Sequence, residues 1–125
     1  MVTASKSRPV TVCEIDPFAA TAKKAGLTEA ERAGLTDFLA RNPEAGDVIE
    51  DTGGLRKVRW AKAGAGKRGG YRAIYYFFDV ATPIFLLAIY PKNQQENLTP
   101  EQKKRLTNLA ADLKSAAKRM RARTK

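Results

Sequence analysis

The order of segments in this chain predicts an α+β domain: a compact antiparallel sheet of three to four strands, with two N-terminal helices and a C-terminal helix. Three observations carry that expectation. Helix-start signals occur at Asp16 and Thr28, and again at Thr99. Between them, from Leu55 to Pro91, lie three β-prone apolar segments. From Leu106 to Met120 the apolar residues return to helical spacing. Helices grouped before and after a run of strands are the pattern of α+β architecture.

Taken in order, Val10 to Ile15 alternates weakly and reads as a strand. Asp16-Pro17 reads as an N-cap followed by proline at the first helical position, where its missing N–H is harmless. The alanine-rich run that follows should stop at Gly26. Thr28 and Glu31 fit a capping box, in which each residue's side chain satisfies the other's backbone N–H. Leu35, Phe38 and Leu39 share one face of the helix it opens, and Asn42-Pro43 should end it. A connector with glycines at 46, 53 and 54 leads to strands expected at 55–61, 70–79 and 84–91. The last two are joined across Asp79 to Pro83, short enough for an antiparallel hairpin. Thr99-Pro100-Glu101-Gln102 repeats the helix-start grammar. Leu106, Leu109, Ala110, Leu113, Ala117 and Met120 then mark one face of the final helix. Residues 1–9 are expected to be a loose segment, 10–120 the domain and 121–125 a basic tail.

The 125 residues suffice for one domain with one ordinary core. A net charge of +10 favours a phosphate-rich partner, and no apolar run approaches the roughly 18 residues of a membrane span. No secretory signal is recognisable at the start of the sequence. The single cysteine, Cys13, allows no internal disulfide, suits a reducing cytoplasm, and is expected to be a small buried side chain on a strand. Histidine is absent, which removes the usual proton shuttle and any zinc site of Cys and His ligands. Phosphodiester chemistry would fall to Lys, Arg, Tyr or a carboxylate.

Cations are concentrated in the strand region. Arg56, Lys57, Arg59, Lys62, Lys67, Arg68, Arg72 and Lys92 lie between Leu55 and Lys92, with Asp79 the only acid among them. The glycine-rich stretch around Lys67 and Arg68 is no P-loop, because Arg68 stands where the hydroxyl residue belongs and a strand follows. It could instead be a flexible hairpin loop able to close over a ligand. By strand alternation Lys57 and Arg59 share a side, as do Arg72, Ile74 and Tyr76. If the strands are neighbours, these cations converge and repel one another unless an anion sits among them. Such crowding disfavours the charged form of a lysine, making Lys57 or Lys67 a candidate general base. Arginine keeps its charge and can grip two phosphate oxygens, which suits the charge gained when an RNA 2′-OH attacks its own phosphate. Lys57, Arg59, Lys67, Arg72 and Lys92 are therefore the candidate catalytic residues. Arg56, Lys62, Arg68, Tyr76 and Tyr90 are candidates for binding RNA, the tyrosines by stacking on bases. The chemistry calls for no cofactor and no metal. Lys103, Lys104, Lys114 and Lys118 could extend the phosphate-binding surface, although cations near the end of the last helix also suit its dipole.

Five blocks of sequence resemble the RelE/HigB toxins of bacterial type II toxin–antitoxin systems, within the RelE/ParE superfamily. They are Gly46-Asp47-Val48-Ile49, Gly53 to Arg59, Gly66 to Gly70, Arg72 to Tyr76, and Ile89-Tyr90 with Lys92-Asn93. The likeness spans roughly Val10 to Met120. It implies a ribosome-dependent mRNA endonuclease that acts in the A site without metal and inhibits translation. The family's strand lysines fall on Lys57 and, as a cation, Arg59; its transition-state arginine falls on Arg72; its basic residue after the last strand falls on Lys92. An arginine often found next is Asn93 here, and a tyrosine near the final helix is matched by Leu98. The implied partner is a cognate antitoxin, often a helix-turn-helix DNA-binding protein. Two other readings compete: the ParE branch, which poisons DNA gyrase, and a nucleic-acid-binding module without catalysis.

Overall fold

The computed structural model describes residues 9–61, 70–95 and 97–123. Most of the N-terminal segment expected to be loose, and the loop carrying Lys62, Lys67 and Arg68, lie outside them.

A five-stranded sheet runs in the order β1-β5-β4-β3-β2. The strands are β1 (Val12–Glu14), β2 (Asp47–Val48), β3 (Leu55–Ala61), β4 (Gly70–Tyr76) and β5 (Ile84–Pro91). Neighbours are antiparallel except for β1, which joins β5 in parallel, so the sheet is mixed and has one or two strands more than expected. β4 ends at Tyr76, three residues short of the expected boundary. Three helices complete the fold: α1 (Asp16–Ala25), α2 (Glu29–Arg41) and α3 (Pro100–Arg123).

The local signals act largely where the sequence places them. Gly26 ends α1 in the left-handed conformation at φ 77°, the region where a Cβ is penalised. Asp16 lies inside the first turn rather than at the cap, which Ile15 occupies without a side-chain bond. Its carboxylate still faces the positive end of the helix dipole. Thr28 Oγ1 accepts the Glu31 N–H at 3.1 Å, and Glu31 Oε1 accepts the Thr28 N–H at 2.9 Å. Thr99 and Gln102 repeat this exchange at the start of α3, at 2.9 and 3.1 Å.

Each face of the sheet has its own core. On one, α1 and α2 bring Phe18, Ala22, Leu35 and Leu39 against Val58, Tyr71, Ala73, Tyr75, Leu86 and Ile89. On the other, Leu106 and Ala110 of α3 meet Leu55, Ile74, Tyr76, Phe85, Leu87 and Ala88. A register shift between Ile74 and Tyr75 puts Ile74 opposite Ala88 but Tyr75 opposite Leu86. Beyond the short β1, the Ile89 N–H donates to Thr21 Oγ1 of α1 at 3.0 Å, so α1 continues the edge that β1 leaves uncovered. Cys13 is on a strand as expected but exposed, because β1 is that outer edge. Met120 departs from its expected core face. It is 61 % exposed, and the α3 residues that join the core are Leu106, Leu109, Ala110 and Leu113. Among the described residues no helix is long and apolar enough to cross a membrane.

Candidate functional site

Antiparallel register settles which strand cations share a face. Arg59 stands directly opposite Arg72, Arg72 opposite Tyr90, and Lys57 opposite Ile74. Directly paired residues project to the same side of a sheet, with Cβ atoms about 5 Å apart. Lys57, Arg59, Arg72 and Tyr90 therefore occupy one face, the one that α3 covers. Leu106 and Ala110 of α3 join a core on this face that includes Leu55, Ile74, Tyr76, Phe85 and Tyr90. The cations follow Leu55 along β3 and precede Ile74 on β4, towards the strand ends at Ala61 and Gly70.

Their environments differ. Arg72 is only 3 % exposed, Arg59 is open to solvent, and Lys57 is intermediate. Arg59 and Arg72 thus place two guanidinium side chains on directly opposed positions, where like charges repel. One arginine set in protein and one at the surface could grip an oxyanion from two sides, with neither charge lost on binding. Lys92 stands just past β5, where its N–H donates to the Gly70 carbonyl at 2.9 Å and extends the ladder to the same end of the sheet. Its side chain is exposed.

Not every candidate joins this group. Arg56, one residue before Lys57, projects to the opposite face, where its guanidinium donates to the Gly46 carbonyl at 2.7 Å and the Glu44 carbonyl at 3.3 Å. It fastens the connector before β2 rather than facing the cluster. Tyr76 is on the cluster's face but buried in the core under α3, and burial raises its pKa, so it stays a neutral phenol. Tyr90 is 8 % exposed, too enclosed to offer an open ring to a base, and flanks Arg72 instead. Lys114 and Lys118 lie over the Phe78 ring at 4.8 and 5.5 Å, away from the cluster in sequence and strand position.

One residue escaped the sequence reading. Asn97, in the segment before α3, accepts a hydrogen bond from Lys57 Nζ at 2.7 Å. Forty positions separate the two, and an asparagine before a helix reads simply as a turn residue. Around Lys57 lie two hollows. One of about 430 Å³ runs along the β3 edge with Phe38, Ala45, Asp47, Val58 and Arg59; the other, about 260 Å³, is bounded by Ile49, Glu50, Asn97, Leu98 and Lys103. Among the described residues no group of three or more Cys, Asp or Glu is placed to hold a metal ion.

Lys57, Arg59 and Arg72 thus share one sheet face of a small α+β domain. Residues 16–124 match the family described as the RelE toxin of the RelE/RelB toxin–antitoxin system. The chain belongs to this family, and is thus a toxin of the toxin–antitoxin kind whose partner is an antitoxin.

Proposed function

We propose that the chain is a ribosome-dependent mRNA endonuclease that inhibits translation in the cytoplasm. The observation that carries this reading is the pairing of Arg72 with Arg59 across neighbouring strands, with Lys57 on the same face. In the proposed reaction the ribose 2′-OH attacks the adjacent phosphorus while the bond to the 5′-oxygen of the next nucleotide breaks. The departing 5′-oxygen takes a proton from water, so the products are a 2′,3′-cyclic phosphate and a free 5′-OH. Arg72 and Arg59 offset the charge gained by the phosphoryl oxygens, since preorganised charged donors act where negative charge develops. Lys57, held on a strand, takes the 2′ proton; Lys92 contacts the phosphate, and the loop cations Lys62, Lys67 and Arg68 hold the strand of RNA. Metal is not required in this scheme. The antitoxin, proposed to be a helix-turn-helix DNA-binding protein, would silence the toxin by covering or distorting the cationic face.

The test is cleavage of a defined mRNA by the purified protein, with and without translating ribosomes, with the new ends analysed chemically. Cyclic-phosphate ends that depend on ribosomes are expected. Gyrase-dependent DNA breaks in a parallel assay would favour the ParE-like reading, and binding without cleavage a non-catalytic module.

A further inference from the structure

Lys57 borders both hollows beside β3, and an amine on a four-carbon stem could serve either. The structure shows which it serves. Its Nζ donates to Asn97 Oδ1 at 2.7 Å. An ammonium has only donors, so the amide must present its oxygen. Asn97 is itself fastened. Gln95 Nε2 donates both to the Asn97 backbone carbonyl and to Gln102 Oε1, each at 2.9 Å, and Gln102 closes the cap of α3. Since α3 packs on the same sheet face through Leu106 and Ala110, the lysine is referenced to a rigid helix.

We propose that Asn97 is a positioning residue: its side-chain carbonyl holds the Lys57 amine on the α3 side of the cationic cluster and fixes its place relative to Arg59 and Arg72. This rests on the nuclease reading above. A neutral amide suits the task, because it orients the amine without cancelling the charge that draws RNA. Among the described residues, the charged groups around Lys57 are Arg59 on its own strand, Arg72 diagonally on β4, Asp47 of β2, Glu50 in the following turn and Lys103 on α3. Asn97 is the one among the described residues whose side chain accepts a hydrogen bond from Nζ.

Asn97 is exposed and outside any helix or strand, so Asn97→Leu and Asn97→Asp should both fold. Single-turnover cleavage on ribosomes is measured against pH for each, in the natural and the Lys57→Met background. Asn97→Leu is expected to lower kcat roughly 10-fold with KM within about twofold, as misplacing a reacting group does. Asn97→Asp stabilises the ammonium form, so the rising limb of the pH profile should move to higher pH. Both effects should vanish in Lys57→Met. Equal losses in the two backgrounds, a change in KM alone, or an unmoved limb in Asn97→Asp would overturn the proposal. A natural protein that cleaves nothing overturns the nuclease reading; an unchanged side-chain ¹⁵N resonance of Lys57 in Asn97→Leu would then overturn the positioning as well.

Discussion

The two faces of the sheet are built from the same strands and put to opposite uses. Under α1 and α2 the side chains of Phe18, Leu35, Leu39, Tyr71 and Tyr75 are all at most 1 % exposed. Polar groups there have partners: the Tyr75 hydroxyl donates to the Pro43 carbonyl and accepts the Gly46 N–H, both at 2.8 Å. Under α3, Leu55, Ile74 and Leu87 are buried as deeply, and the same face then carries Arg59, Arg72 and Lys57. One face thus supplies stability that the other can afford to lose.

The first way to break this comparison is to empty the closed face. Phe18→Ala is expected to lower unfolding free energy by about 3–5 kcal/mol, measured by chemical denaturation, with the cleavage rate per folded molecule unchanged. On the open face, Arg72→Ala should lower single-turnover cleavage by about 100-fold while a cooperative melt persists. An unaltered rate in that variant would detach the arginine pair from the chemistry.

Smaller effects sharpen the contrast. Tyr75→Phe leaves the buried Gly46 N–H without its acceptor and should cost about 1–3 kcal/mol. Burial raises the pKa of Tyr71, Tyr75 and Tyr76. A phenol whose folded pKa is raised stabilises the fold fully below its unfolded pKa of about 10, and that contribution is lost as pH rises through the folded value. Alkaline unfolding should therefore set in above about pH 10, and Tyr76→Phe should make it less steep with little change at neutral pH. The smallest effect is expected from Lys114→Met with Lys118→Met. Loss of their Phe78 contacts should shift stability by about 1 kcal/mol or less. Their effect on ribosome binding should show as a shallower salt dependence; an unchanged slope would exclude them from the RNA surface.

How far the sequence could be read depended on the range of the forces involved. Both capping boxes and the stop at Gly26 are local bonds between residues at most a few positions apart, and they were legible. The shared side of Lys57 and Arg59 follows from the two-residue period, and the same rule puts Arg56 on the other face, against its inclusion among the RNA contacts. β2 was invisible because Asp47-Val48 is too short for any periodicity. The parallel partner of β1, and the meeting of Asn97 with Lys57, are made by distant segments whose local sequence carries no sign of the other. Exposure at Met120 likewise depends on what α3 packs against, not on the spacing along it.

The parallel pairing of Val12–Glu14 with Ile84–Leu86 has a consequence for how the chain comes into being. During synthesis β1 has its partner roughly 70 residues behind it, and closing so long a loop is slow. Until β5 emerges, α1 and α2 have no complete sheet to cover, and their apolar stripes must wait or be shielded. Arg72 and Tyr90 likewise meet only when β5 pairs with β4, and Asn97 is synthesised later still. Vectorial synthesis therefore adds Tyr90, Lys92 and Asn97 to the cationic β3–β4 pair only after that pair has been made.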